Sequence, residues 1–207
     1  VDDMQFFEFF VGSFGLLRVV SNIDEVTISG VELGADYVLG DNWSFYAGFN
    51  FLDTEIKANA SRPDTVGNKA PYTPDYTANL GVNFNIPVSQ NWDFFTRVDA
   101  RWTGETWFHT VQEGQRPTIF MPLFELGFGE GAGGLGIADY SVAQRDSFAL
   151  VDLRMGVGND NWTVTAFATN LTDEAYLEEV IPAPEFGGNF NHPGTERRLG
   201  LELSYRY

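Results

Sequence analysis

His109 and His192 are the two histidines of this 207-residue chain, and the absence of cysteine removes thiol nucleophiles and thiolate metal ligands. A nucleophilic triad would need a serine such as Ser141 or Ser147 within hydrogen-bond reach of His109, and no local spacing brings either there. Metal capture by His109 and His192 with Glu105, Glu113 and Glu196 is no better specified; two solvated histidines in separate connections account for the pattern. The glycine run at 127–136 lacks the lysine and the strand–loop–helix frame of a phosphate cradle, and reads as a flexible loop tip. No catalytic group, metal or cofactor is expected. The remaining chemistry is binding. Trp107, His109, Phe120, Phe124 and Tyr140 in one long connection, with Phe186 and His192 in another, are the candidate substrate contacts, flanked by Phe108, Phe128 and Phe190. Such groups could stack on a sugar, a haem-like ring or a catecholate; packing of the connections on one another is the competing use.

The elements that hold these connections show as strict alternation. Tyr76, Ala78, Leu80, Val82, Phe84 and Ile86 share one face of an extended segment, against Thr77, Asn79, Gly81, Asn83 and Asn85 on the other. The pattern repeats from Trp92, Ala149 and Leu199, and further strands are expected near 4–12, 26–39, 43–55 and 162–170. In 26–39 the apolar parity shifts, which suggests a bulge at Ser29-Gly30. Tight turns at 40–42, 87–91 and 158–161 alternate with long connections near 13–25, 56–75, 108–146 and 171–196. All nine prolines are expected in connections, because a strand ladder cannot spare a donor.

Composition narrows the class. Nineteen phenylalanines among 15% aromatic residues, with 22 glycines, speak for strands and turns rather than a helical bundle. A net charge of −17 excludes nucleic acid as a partner, since a binder needs a basic face. No stretch is long and apolar enough for a membrane helix, but a transmembrane strand needs only about 9 to 11 residues with alternate apolar positions. A soluble barrel with its greasy face inward is disfavoured twice. Trp43, Tyr76, Trp92, Trp102, Trp162, Tyr205 and Tyr207 gather at the ends of the greasy faces, where membrane interfaces would lie. The wet face carries Arg97, Asp99, Arg101, Asp152 and Arg154, too charged for a small dry interior. The expected fold is all-β: an antiparallel up-and-down transmembrane β-barrel with about eight strands in this chain, those five charges lining its lumen.

Three stretches carry a family resemblance: Ser29-Gly30-Val31-Glu32-Leu33, the corner Asn170-Leu171-Thr172-Asp173-Glu174-Ala175-Tyr176, and the aromatic-ended last strand from Arg198 to Tyr207. The chain resembles the C-terminal part of the β-barrel of TonB-dependent outer-membrane receptors, over about 26–207. The resemblance implies that 1–207 is part of a barrel of about 22 strands, in the outer membrane of a Gram-negative bacterium, with a plug domain outside this sequence. It implies a transporter that binds a scarce nutrient of siderophore, cobalamin, haem or oligosaccharide class at outer loops. Its implied partners are outer-membrane lipid and lipopolysaccharide, the TonB complex through an N-terminal region not included here, and the outer-membrane assembly machinery through the last strand. The usual pattern of that terminal strand is met two residues early, by Arg198, Gly200, Leu203 and Tyr205. The start at Val1, without a leader, reads as a processed or partial chain. The alternative is a free-standing eight-stranded barrel with a structural, adhesive or interaction role, its last strand pairing with its first. Independently of the family, Thr172 or Asp173 could cap a short helix through 174–179. The register expected between 92–107 and 147–157 puts Arg97 near Asp152 and Arg154, with Asp99 a little higher.

Overall fold

The computed structural model describes residues 1–12, 15–184 and 188–207, with side chains for all of these except 8–12 and 15–17. Its strands are β1 (Asp2–Gly12), β2 (Gly15–Leu39), β3 (Trp43–Ala58), β4 (Tyr76–Ser89), β5 (Trp92–Thr103), β6 (Thr106–Trp107) and β7 (Gln115–Pro117), followed by helix α1 (Met121–Phe128). Then come β8 (Ile137–Asp139), β9 (Gln144–Arg145), β10 (Phe148–Gly158), β11 (Trp162–Thr169), β12 (Leu177–Ala183), β13 (Gly188–Pro193) and β14 (Arg198–Tyr205). Eight of these form one antiparallel sheet in the order β1-β2-β3-β4-β5-β10-β11-β14. Up-and-down connection is the simplest way to give consecutive amphipathic strands a common greasy face.

The greasy face runs across the sheet. The lower edge of its band is an aromatic girdle, with Trp43 against Phe84 at 4.4 Å, Trp162 against Tyr205 at 4.6 Å, and Phe84 against Phe94 at 6.4 Å. The upper edge is the row of Phe51 and Tyr76, directly paired, with Trp102 close by. On β3 the band from Trp43 to Phe51 is about nine residues long, enough for a tilted strand to cross hydrocarbon. Above that row the same face turns polar, through Ser29 opposite Asp53 and Thr27 opposite Glu55, with Lys57 paired to Glu55. Leu201, 81% exposed, and the neighbouring Leu199 and Leu203 are buried by nothing among the described residues, as lipid-facing side chains should be.

Several expectations change. Residues 15–25 are strand, zipped to β1 from Asp2↔Glu25 to Gly12↔Gly15, and not a long connection; residues 13–14 lie outside the described set. The β1–β2 hairpin therefore stands beyond the rim. The irregularity in β2 falls at Glu25/Val26, not at Ser29-Gly30. The parity shift has another cause: Val26 is buried with Phe6, Phe7, Ile23, Ile56 and Ala70 above the membrane band, while Val31, Leu33 and Tyr37 within the band face outward. Strand 92–107 breaks at Gly104, whose N–H donates to the Tyr76 carbonyl at 2.8 Å; Thr106 and Trp107 pair instead with β9. No helix forms at 174–179, because β12 and β13 make a hairpin there, with Val180 opposite Asn191 and Ile181 opposite Phe190. Prolines do enter strands. Pro182 and Pro193 lie in that two-stranded hairpin, Pro117 ends β7 and Pro87 sits at a bulge near the end of β4, all places where a missing donor is tolerated. The last strand pairs with β11 and not with β1, so the sheet is open.

Candidate functional site

Two regions carry polar and aromatic chemistry: the inner face of the sheet and the connections above it. On the inner face β5 and β10 are adjacent, and Arg97, Asp99, Arg101, Asp152 and Arg154 come together there. The rows differ from the expected ladder. Arg97 stands opposite Arg154, and Asp99 opposite Asp152, so each row holds like charges, which repel when directly opposed. Neutralisation runs along and across the rows instead. Arg97 binds Asp99 of its own strand through Nε at 2.7 Å and Nη2 at 2.9 Å, and Arg101 reaches Asp152 diagonally at 2.9 Å. Arg154 passes over β11 to Glu202 at 3.0 Å, its guanidinium above the Phe167 ring. The three arginines are about half exposed while Asp99 and Asp152 are more sheltered, so the guanidiniums are the solvent-facing partners of these pairs.

Tyr46 and Asn170 complete this wall and were missed as site residues. The Tyr46 hydroxyl donates to Asp99 Oδ1 and accepts from Arg97 Nη2 at 3.0 Å, crossing β4 over Gly81, where any Cβ would enter its ring. Phe167 lies in the same way over Gly200, and Tyr176 over Gly194. The signal was available: an aromatic at a wet-face position two strands from a charge, with glycine between. Asn170 N–H donates to Asp152 Oδ1 at 2.9 Å, and its side chain holds the Glu174 and Thr195 carbonyls and the Glu174 N–H. With φ of 49° at Asn170 and 58° at Asp173, that closure makes the motif a corner in place of a helix cap, and Asp173 pairs with Arg197 at 3.3 Å.

The connections pack into one assembly. Tyr72 N–H donates to the Trp107 carbonyl at 2.7 Å, Asn68 Nδ2 to the Thr110 carbonyl at 2.8 Å, and Gln112 Nε2 to the Lys69 carbonyl at 2.8 Å. His109 is 6% exposed and Tyr140 fully buried; their rings lie 5.0 Å apart, with Phe6 edge-on to His109 at 5.8 Å. Burial, and secondarily the charge of Arg62, pushes the His109 pKa down to about 4, and neutral Nδ1 accepts the Val111 N–H at 2.9 Å. Trp107 is half-buried in β6, Phe120 and Phe124 are half-buried at and within α1, and His192 is exposed on β13. Phe186 lies outside the described residues. Arg145 ties the last hairpin down. It donates to the Leu177 and Glu178 carbonyls at 3.1 and 3.0 Å and to Thr106 Oγ1 at 2.9 Å, between the rings of Phe108 and Phe148. Among the described residues no group of histidines and acids is arranged to hold a metal ion.

The fold has clear relatives among solved structures. It superposes on the ferric yersiniabactin uptake receptor FyuA from Yersinia pestis with a TM-score of 0.68, at 17% identity over 90% of this chain and 24% of that one. The siderophore receptor PiuA from Acinetobacter baumannii gives 0.62, at 17% identity over 91% and 23%. The copper transporter OprC gives 0.62, at 18% identity over 99% and 27%. The chain thus spans about a quarter of the length of these structures. The model of the TonB dependent receptor-like β-barrel family matches residues 1–171. With its girdled greasy face, charged inner wall and packed outer connections, the chain belongs to the TonB-dependent receptor β-barrel family, whose members are integral outer-membrane transport receptors and not enzymes.

Proposed function

We propose that this chain is the C-terminal portion of the barrel of an active transport receptor, which binds a scarce nutrient at its outer connections and imports it with energy from the TonB system. The nutrient belongs to the siderophore, cobalamin, haem or oligosaccharide class. The family match supports the transport reading, and one structural observation carries the choice of a large barrel. Within the membrane band, residues 26–39 of β2 and the whole of β14 each have one hydrogen-bonding edge with no partner strand. Bare edges are not tolerated in hydrocarbon, and in this reading further strands cover both. A closed eight-stranded barrel would need eight strands in the band, but β1 pairs with β2 above the rim, and the bare edges of β2 and β14 do not pair with each other.

In this reading the half-buried Trp107, Phe120 and Phe124 and the exposed His192 face the nutrient, while His109 and Tyr140 hold the platform from beneath. Arg97, Asp99, Arg101, Asp152 and Arg154 form the wall past which it moves. Outer-membrane lipid and lipopolysaccharide surround the greasy face, the assembly machinery reads the last strand, and the TonB complex engages a region outside 1–207. The test is the native gene product together with uptake. A precursor of several hundred residues, whose deletion abolishes energy-dependent uptake of one nutrient and whose Trp107→Ala variant raises the half-saturating concentration, is expected. A precursor near about 230 residues, a short leader included, would overturn the reading.

A further inference from the structure

A cavity of about 570 Å³ opens between the connection after β3 and the segment leading into α1. Its lining is mainly apolar, with Pro117, Ile119, Met121 and Pro122 joined by the charged Arg62, Asp64 and Arg116. The two arginines differ. Arg62 is spent on structure, gripping both oxygens of Asp64 at 3.0 and 2.9 Å and reaching toward the Pro117 carbonyl at 3.4 Å. Arg116, exposed on β7, makes no ion pair among the described residues. Asp64 is near enough to feel its charge, but both its oxygens already face Arg62. The lining therefore has two cations against one anion, in a chain whose net charge is −17. A free guanidinium fork above an apolar wall suits a planar oxyanion attached to an apolar body, since the fork pairs with carboxylate through two parallel hydrogen bonds. The volume is that of a small-molecule site.

Resting on the reading that these connections face the cell exterior and take up a solute, we propose that this cavity binds a soluble carboxylate with a flat apolar body, Arg116 taking the carboxylate and Ile119 and Met121 the body. Residues 1–207 hold no cysteine to compete with an introduced one. In the intact protein in cells, Ser61→Cys, at the cavity edge, is labelled with a membrane-impermeant, environment-sensitive fluorophore, and naphthoate is titrated as the probe. We expect labelling on whole cells, a saturable emission change with naphthoate, and about tenfold weaker binding of the uncharged naphthamide. Arg116→Gln should weaken naphthoate by about the same factor and leave naphthamide unchanged, whereas Ile119→Asp should weaken both. Failure to label intact cells, with labelling after lysis, would overturn the outward placement and the cavity proposal with it. Labelling with no naphthoate response, or equal binding of naphthoate by the parent and by Arg116→Gln, would overturn the cavity proposal alone. Displacement of naphthoate by phosphatidylglycerol vesicles but by no soluble carboxylate would reassign the cation to a lipid headgroup, and so also overturn it.

Discussion

Replacing Gly81 by alanine tests the packing of the inner wall with a sign reversal. A Cβ at Gly81 would occupy the outer part of the Tyr46 ring, which crosses β4 at that point. The ring can swing aside, so the cost is set by what its hydroxyl gives up: its bond to Asp99 and the one it accepts from Arg97 Nη2. Bonds to charged groups are worth about 1.5–3 kcal/mol each when buried. Here Arg97 is half exposed and keeps Asp99 directly, so about 1–2.5 kcal/mol for the pair is reasonable. Glycine in a strand interior costs about 0.5–1 kcal/mol relative to alanine, which offsets part of that loss. Gly81→Ala should therefore destabilise by up to about 2 kcal/mol in the parent, but stabilise by about 0.5–1 kcal/mol in a Tyr46→Ala background, where nothing is displaced. The assay is guanidinium unfolding of the protein refolded into lipid vesicles, read by tryptophan fluorescence. An equal cost in both backgrounds would show that Tyr46 does not lie over Gly81.

Three further outcomes follow from the same geometry. Leu153→Arg or Val98→Arg, on the greasy face near mid-strand, should cost about 2–4 kcal/mol and lower assembly yield in outer membranes; normal yield for both would refute the lipid-facing assignment. The turns at 40–42, 90–91 and 159–161 lie at one end of the sheet and the connections after β3, β5 and β11 at the other. Gly133→Cys should thus label on intact cells and Asn159→Cys only after lysis, and the reverse would invert the topology. His109 has its pKa held at about 4, below an ordinary 6.5, so the unfolded chain takes up its proton first as pH falls. The outer assembly should be unaffected above about pH 7 and lose up to about 3 kcal/mol between pH 6.5 and 4, seen as faster hydrogen exchange at 106–112. A His109→Gln variant that loses protection over the same window would assign the effect to other groups.

The sequence by itself determined the sheet. Alternation with period two identifies a strand whatever packs on it, so the segments from Tyr76, Trp92, Ala149 and Leu199 were legible, as were the tight turns between them and the charged wet face. The family was legible for the same reason, since its motifs lie at strand ends and at a corner closed by local bonds of Asn170. Tertiary structure decided whatever depends on which residue stands opposite which. A pattern of period two fixes the face but not the register, so the sequence placed Arg97 and Asp152 on one face without revealing that Arg97 meets Arg154, or that Asp99 is reached by Tyr46 from two strands away. The outer connections were least legible. Val26 and Ile56 look like any strand residues until the β1–β2 hairpin folds over them, and Val180 and Ile181 form a hairpin because β13, Arg145 and the Phe6 cluster receive them. Those contacts join residues far apart in the chain, and no local spacing records them.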